Sequence, residues 1–291
     1  MNKLILDEKK IRKGKPVGLP YVGSKKKISK KIIEIIKQNF DIEGKVIYDV
    51  FGGGGAITSE CVINGLPVVY NDLDNSVVAM FTKAISGNRE WLKTLIISRE
   101  EFFEIRDKKN KTTDDNLKLL MNSFGNNKKN YIYSEKYSNL KFYLAKNIIK
   151  NHDLFTAYKQ TDTYKKSYKI SSDSRLQQLE RLQQLEPLQQ LEKKKSIVDI
   201  TIKEYKEFSN IKNSILYLDP PYENAENAYI NETFDSKEFY DWAFEMSKNN
   251  IVIISSYEVS DERFDIVYEF VKAKSTFLGK GTRTEKLFMV K

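Results

Sequence analysis

Residues 44–74, GKVIYDVFGGGGAITSECVINGLPVVYNDLD, constrain the fold more than any other stretch of the chain. A β-branched run from Val46 to Val50 stops at four successive glycines, Gly52 to Gly55. An apolar segment of helical length follows. Pro67 then opens a second apolar run that ends in acids. Strand, glycine turn, helix and strand in that order predict the βαβ opening of a parallel sheet.

Sheet-forming pieces return at the other end of the chain. KNSILYLDPPY reads as a strand, and SKEFYDWAFEMSKN as a helix that buries Phe239, Trp242 and Met246. NIVIISSY reads as another strand, and two extended runs around GKGT read as a hairpin. Upstream, Ile28, Ile32, Ile35, Ile36 and Phe40 share one helical face, with lysines mostly on the other. Between Met80 and Ile197 the pattern weakens and Asn, Lys and Tyr accumulate. The expectation is one α/β domain built from residues 1–80 and 198–291, interrupted by an inserted module at 81–197.

Within the insert lies RLQQLERLQQLEPLQQLE, residues 175–192, with leucine at every third position from Leu176 to Leu191. An α-helix turns every ~3.6 residues, so this spacing drifts around the helix and gives no single stripe. Pro187 would interrupt the helix as well. The repeat is expected to be a low-complexity linker or a short broken helix pair, with a spacer or self-association element as the functional alternative.

Composition excludes several chemistries. The 291 residues hold one cysteine, Cys61, and one histidine, His152. No internal disulfide or cysteine metal cluster can form, and no metal is expected. His152 lacks the nucleophile elbow that a Ser-His-Asp enzyme would carry, and is expected at the surface or at a helix cap. Cys61 falls on the helix after the glycines and is expected in the core. No run reaches the ~18 apolar residues of a membrane span, and the first residues lack a signal-peptide pattern. A cytoplasmic protein is expected. The formal charge of +9 suits a polyanionic partner without identifying one.

The glycine turn suits a ligand that must approach backbone closely. The spacing offers no P-loop. Asp72, at the end of the second strand, could accept hydrogen bonds from ribose hydroxyls, with Asp74 as the competing acid. Together they describe a site for an adenosine-containing cofactor.

The strand ILYLD must stop at Asp219, because Pro220 and Pro221 cannot donate to a ladder. That puts a carboxylate at a carboxyl strand end, where open α/β sheets bind ligands. What remains is acceptor-rich: the Asp219 carboxylate, the Pro220 carbonyl and then the aromatic plate of Tyr222. An amino group on a planar base fits this set. Its hydrogens would be held by the two acceptors, its lone pair freed and its ring stacked on the tyrosine. Such a base would have to leave its duplex.

DPPY at 219–222, with YVGSK at 21–25, FGGGGA at 51–56, NSFGNN at 122–127 and YNDLD at 70–74, resembles the Dam-type DNA adenine N6-methyltransferases of the D12 class, especially phage-borne relatives. The order of cofactor motif, insert and DPPY is that of the alpha group. The resemblance implies a Rossmann-like, S-adenosylmethionine-dependent methyltransferase sheet with a C-terminal β-hairpin. It also implies a mainly helical insert that reads double-stranded DNA. Tyr21, Lys25, Phe51, Gly52, Gly53, Gly54 and Asp72 would line the cofactor pocket, with Asp219 at its edge. Asp219, Pro220, Pro221 and Tyr222 would hold the target adenine. Tyr229, in the loop after the motif, is an accessory candidate. In the insert, Asn126 and Asn127 could read adenine in the major groove while Lys128 and Lys129 hold phosphates. The protein is expected to act as a monomer. N4-methylation of cytosine and a catalytically dead DNA-binding protein are the rival readings. C5-methylation is disfavoured because it needs a nucleophilic cysteine.

Overall fold

The computed structural model describes residues 3–21, 23–167, 175–191, 196–222, 234–275 and 283–291. Two compact units emerge. The first comprises residues 1–16, 25–78 and 194–291, and the second residues 17–24 and 79–193. The GKGT turn and Tyr229 lie outside the described residues.

The first unit is built on a seven-stranded sheet. Its strands are β1 (Ile47–Asp49), β2 (Val68–Asn71), β3 (Ile197–Thr201), β4 (Ile215–Leu218), β5 (Ile251–Ser256), β6 (Phe264–Ser275) and β7 (Arg283–Val290). They are ordered β3-β2-β1-β4-β5-β7-β6. β1 to β5 pair in parallel. β7 runs antiparallel between β5 and β6, as the expected hairpin requires. The central strands are apolar on both faces: every residue of β4 is buried. That is the pattern of a parallel strand covered by helices on each side.

Three helices of this unit do the covering. α1 (Ser29–Asn39) buries Ile32, Ile33, Ile35 and Ile36 and packs on α2 (Ala56–Ile63). Cys61 sits fully buried in α2, as expected. Val50, Leu216, Leu218, Val252 and Ile254 meet Phe239, Trp242 and Met246 in one hydrophobic cluster with Phe264 and Phe288. The three aromatic and methionine side chains come from the helix Ser236–Ser247, α10 in chain order.

The second unit is helical. α3 (Asn75–Ser86) spans the division, and α4 (Arg89–Thr94), α5 (Arg99–Asp107), α6 (Thr113–Met121), α7 (Glu135–His152), α8 (Asp162–Ser167) and α9 (Gln177–Leu185) follow. Asn88, Ser98 and Thr112 cap α4, α5 and α6 by accepting from backbone N–H groups that the helix itself cannot satisfy. His152 ends α7, with its Nε2 2.8 Å from the Thr163 hydroxyl. No helix among the described residues is long and apolar enough to cross a membrane.

The leucine repeat is the short broken helix pair among the expected alternatives, not a linker. It forms α9 and then a 3₁₀ turn, Glu186–Gln190, with Pro187 at the start of the turn. Leu176, Leu179, Leu182, Leu185, Leu188 and Leu191 are each at most 2% exposed. Steps of three residues fan the leucines across a broad face of α9. The 3₁₀ turn has ~3 residues per turn, so there the same spacing stacks them. The helix breaks at the proline, and the break keeps the leucines facing inward. Glutamines of the repeat also serve the core: Gln178 Nε2 donates to Asn122 Oδ1 at 2.6 Å and to Tyr131 Oη at 3.0 Å. Leu182→Ala is therefore expected to destabilise the protein by about 2–4 kcal/mol in urea unfolding. A loss below about 1 kcal/mol would contradict the buried placement.

Candidate active site

The carboxyl ends of β1 and β4 lie side by side, where the strand order reverses direction from β1. Clefts of open α/β sheets form at such a switch point. The glycine turn leaves β1 here, and Asp219 to Tyr222 leave β4.

The turn is held by its neighbour β2. Gly52 N donates to the Asn71 carbonyl at 2.7 Å. A Cβ on Gly52 would come within 2.3 Å and 2.5 Å of Tyr70 ring carbons, so no larger residue fits. Gly53 and Gly55 take positive φ angles of 47° and 68°. Gly54 is buried between them. Asp72, rather than Asp74, anchors the turn: its Oδ2 accepts from Gly53 N at 2.8 Å, and its Oδ1 from Asp74 N at 2.9 Å. Burial pushes the Asp72 pKa up, against the pull of those two hydrogen bonds. Leu73, next to it, stands 68% exposed. Phe51 packs edge-on to Phe239 at 5.8 Å, half-buried at the rim of the aromatic cluster.

A second acid stands behind the turn. Asp49, at the end of β1, accepts from Thr58 N at 3.0 Å and Thr58 Oγ1 at 2.7 Å, and so caps α2. Full burial pushes its pKa up to about 7, against those hydrogen bonds.

Lys25 opens the 3₁₀ turn before α1 and is 7% exposed. Its Nζ donates to Asp219 Oδ1 at 2.6 Å and to the Tyr222 hydroxyl at 2.6 Å. It also lies 3.5 Å from Glu285 Oε1. Burial alone would lower the Lys25 pKa, but Asp219 and Glu285 overcome it and the net shift is upward. Burial raises the Asp219 pKa; Lys25 opposes that shift and Glu285 adds to it. Tyr257 lies against Tyr222, with ring centroids 4.5 Å apart at 38°. The Tyr217 hydroxyl is buried beside this group.

Of the residues expected from sequence, Lys25, Asp219 and Tyr222 are thus in direct contact. Gly52, Gly53 and Asp72 form a second linked set on the adjacent strands. Tyr21 belongs to the second unit, where its carbonyl accepts from Ser24 N at 3.3 Å. Asn126 to Lys129 also lie in the second unit, on a loop closed by a Ser123–Tyr131 bridge. Sequence reasoning missed Glu285, Ser255, Tyr257 and Asp49. Glu285 left a readable trace, because strand alternation puts it on the same face as apolar Leu287 and Met289.

The sequence profile of the D12 class N6 adenine-specific DNA methyltransferases matches residues 21–277. This chain belongs to that family. An adenine-specific DNA methyltransferase takes its methyl group from S-adenosylmethionine, and the N4-cytosine alternative gives way to the family's adenine specificity. No curated protein matches significantly. Among solved structures, an rRNA methyltransferase, aviRa from Streptomyces viridochromogenes, is similar at 10% identity and a TM-score of 0.38, covering 95% of this chain and 86% of that one. The residues of the glycine turn fit such a cosubstrate. They offer a side-chain-free backbone with Gly53 partly exposed, a carboxylate at the next strand end and exposed Leu73 beside it.

Proposed function

We propose that this chain methylates N6 of an adenine flipped out of double-stranded DNA, at a specific site. The observation that carries the reading is the Lys25–Asp219–Tyr222 contact at the carboxyl end of β4. Lys25 takes Asp219 Oδ1, which leaves Oδ2 to accept from the amino group. The Pro220 carbonyl, freed of any ladder role, is the second acceptor. Tyr222, backed by Tyr257, supplies the plate for the base. Holding both amino hydrogens draws the nitrogen toward tetrahedral geometry and concentrates its lone pair. Asp219 Oδ2 is also where the surplus proton of a methylated amine would go, and its raised pKa suits that role.

S-adenosylmethionine supplies an electrophilic methyl group, and Gly52, Gly53, Gly54, Phe51, Asp72 and Leu73 are the residues proposed to hold it. Lys25 is assigned to the catalytic acid rather than to the cofactor alone. Tyr21 stays a cofactor-pocket candidate on the resemblance.

The second unit is proposed to read DNA, which is the alpha-group arrangement. Its loop at 122–131 carries 66%-exposed Phe124 beside Asn126, Lys128 and Lys129. Asn126 and Lys128 hold positive φ angles of 59° and 58°, a conformation that non-glycine residues adopt at some cost. Asn127 works within the loop, where its Oδ1 accepts from Lys129 N at 2.8 Å and Asn130 N at 3.0 Å and so shapes the turn. Lys128→Ala with Lys129→Ala is expected to weaken DNA binding several-fold and to reduce the slope of log K against log salt by about 1–2. An unchanged slope would remove these lysines from the interface.

Expression in a host lacking DNA methylation, followed by sequencing that detects modified bases, tests site specificity. Modified adenines at one short recurring sequence are expected. Scattered modification would refute a site-specific enzyme.

A further inference from the structure

The polar group beneath Tyr222 includes a carboxylate to which the proposed reaction assigns nothing. Glu285, on β7, is 5% exposed. Its Oε1 accepts from Ser255 Oγ at 2.8 Å and lies 3.5 Å from Lys25 Nζ. Its Oε2 accepts from the Tyr222 hydroxyl at 3.3 Å. A buried carboxylate is costly unless it is paired and hydrogen-bonded, and here every contact leads back to the site.

Two consequences follow from this geometry. Lys25 can only donate, so the Tyr222 oxygen accepts from it and the Tyr222 proton must point elsewhere. Glu285 is where it points. The hydroxyl is therefore held from both sides, and with Tyr257 against the ring the plane of Tyr222 is fixed. The second consequence concerns charge. Lys25 and Asp219 alone would be a closed neutral pair, with the carboxylate fully engaged by the cation. With Glu285 the three groups carry one net negative charge, and Lys25 is shared.

We propose that Glu285 is a positioning residue for methyl transfer: it aligns Tyr222 through its hydroxyl and divides the Lys25 charge, so that Asp219 keeps its acceptor strength. This rests on the reaction proposed above. The charged and titratable groups facing Asp219 are Lys25 from the turn before α1, Glu285 from β7, Asp49 from β1, Asp72 after β2, Tyr217 on β4 and Tyr222 itself. Among these acids, Glu285 is the one that also contacts Lys25. Because Glu285 raises the Asp219 pKa, removing its charge must move the acid limb of kcat to lower pH.

The test uses the whole 291-residue chain on DNA that it methylates, with Glu285→Gln, Tyr222→Phe and the double variant. Glu285→Gln is expected to lower kcat about tenfold or more, with KM for DNA and for S-adenosylmethionine within about twofold. Its acid limb should move down. The double variant should fall well short of the product of the two single losses, because both act through one hydroxyl. A Glu285→Gln enzyme with native kcat and a native pH profile overturns the proposal, as does one that raises KM alone. Should Glu285→Gln fail to fold, Ser255→Ala removes one hydrogen bond from the same carboxylate. A kcat loss of about threefold at constant KM is then expected, and native kcat overturns the proposal. A wild-type protein that forms no N6-methyladenine would instead sink the functional reading, before any variant is compared.

Discussion

Asp219→Ala is expected to lower kcat by at least about a thousandfold while the dissociation constant for S-adenosylmethionine stays within a few-fold of native. The carboxylate is the charged acceptor proposed for the amino group, and among the described residues that leave the carboxyl end of β4 it is the one acid. Asp72 and Asp49 are committed to the glycine turn and the start of α2. The binding half of the prediction follows from the same division of labour, because the turn is anchored from β2 and not by Asp219. The fold should survive, since Lys25 keeps Glu285 as a counter-ion. Isothermal titration and single-turnover kinetics separate the two halves. Near-normal turnover would remove Asp219 from the chemistry.

Lys25→Met should cost about 3 kcal/mol of stability near pH 8, because it leaves buried Glu285 and half-buried Asp219 without their shared cation. The cost should depend on pH. In native protein the Lys25 pKa is raised, so Lys25 is charged in both the folded and the unfolded state below the unfolded lysine value of about 10.4, and its own titration adds no slope from pH 5 to 8. In the variant, Asp219 faces burial without its cation, and its folded pKa rises further above the unfolded value. The folded state then takes up protons before the unfolded state does, and part of the lost stability returns as pH falls. Urea unfolding at pH 8 and pH 5.5 should show the gap to native narrowing by at least about 1 kcal/mol. A gap that is small, or the same at both values, would contradict the buried charge cluster.

Local chemistry was the part of this molecule that sequence could disclose. Prolines at 220 and 221 cannot extend a ladder, so the end of β4 and the position of Asp219 were legible. Four glycines between strand and helix marked the turn for the same kind of reason. Contacts between distant segments were not legible. Lys25 and Asp219 are 194 residues apart, and no periodicity could pair them. Asp72 was legible as a strand-end acid, but its bonds to its own turn depend on the path of the Gly52–Gly53 backbone. Glu285 was legible only in part: a carboxylate on the inward side of an apolar strand signals a buried partner without naming it. In the leucine repeat the break at Pro187 and the broken helix pair were legible, but the burial of every leucine was not, because it depends on a 3₁₀ turn at Pro187 that stacks residues spaced by three.

The most direct test of the central claim is product identification. The purified protein is incubated with S-adenosylmethionine and unmethylated double-stranded DNA, and the digested nucleosides are separated and weighed by mass spectrometry. N6-methyladenine, absent when Asp219→Ala replaces the native protein, is the predicted result. N4-methylcytosine, or no methylated base with cofactor and DNA both shown to bind, would contradict it.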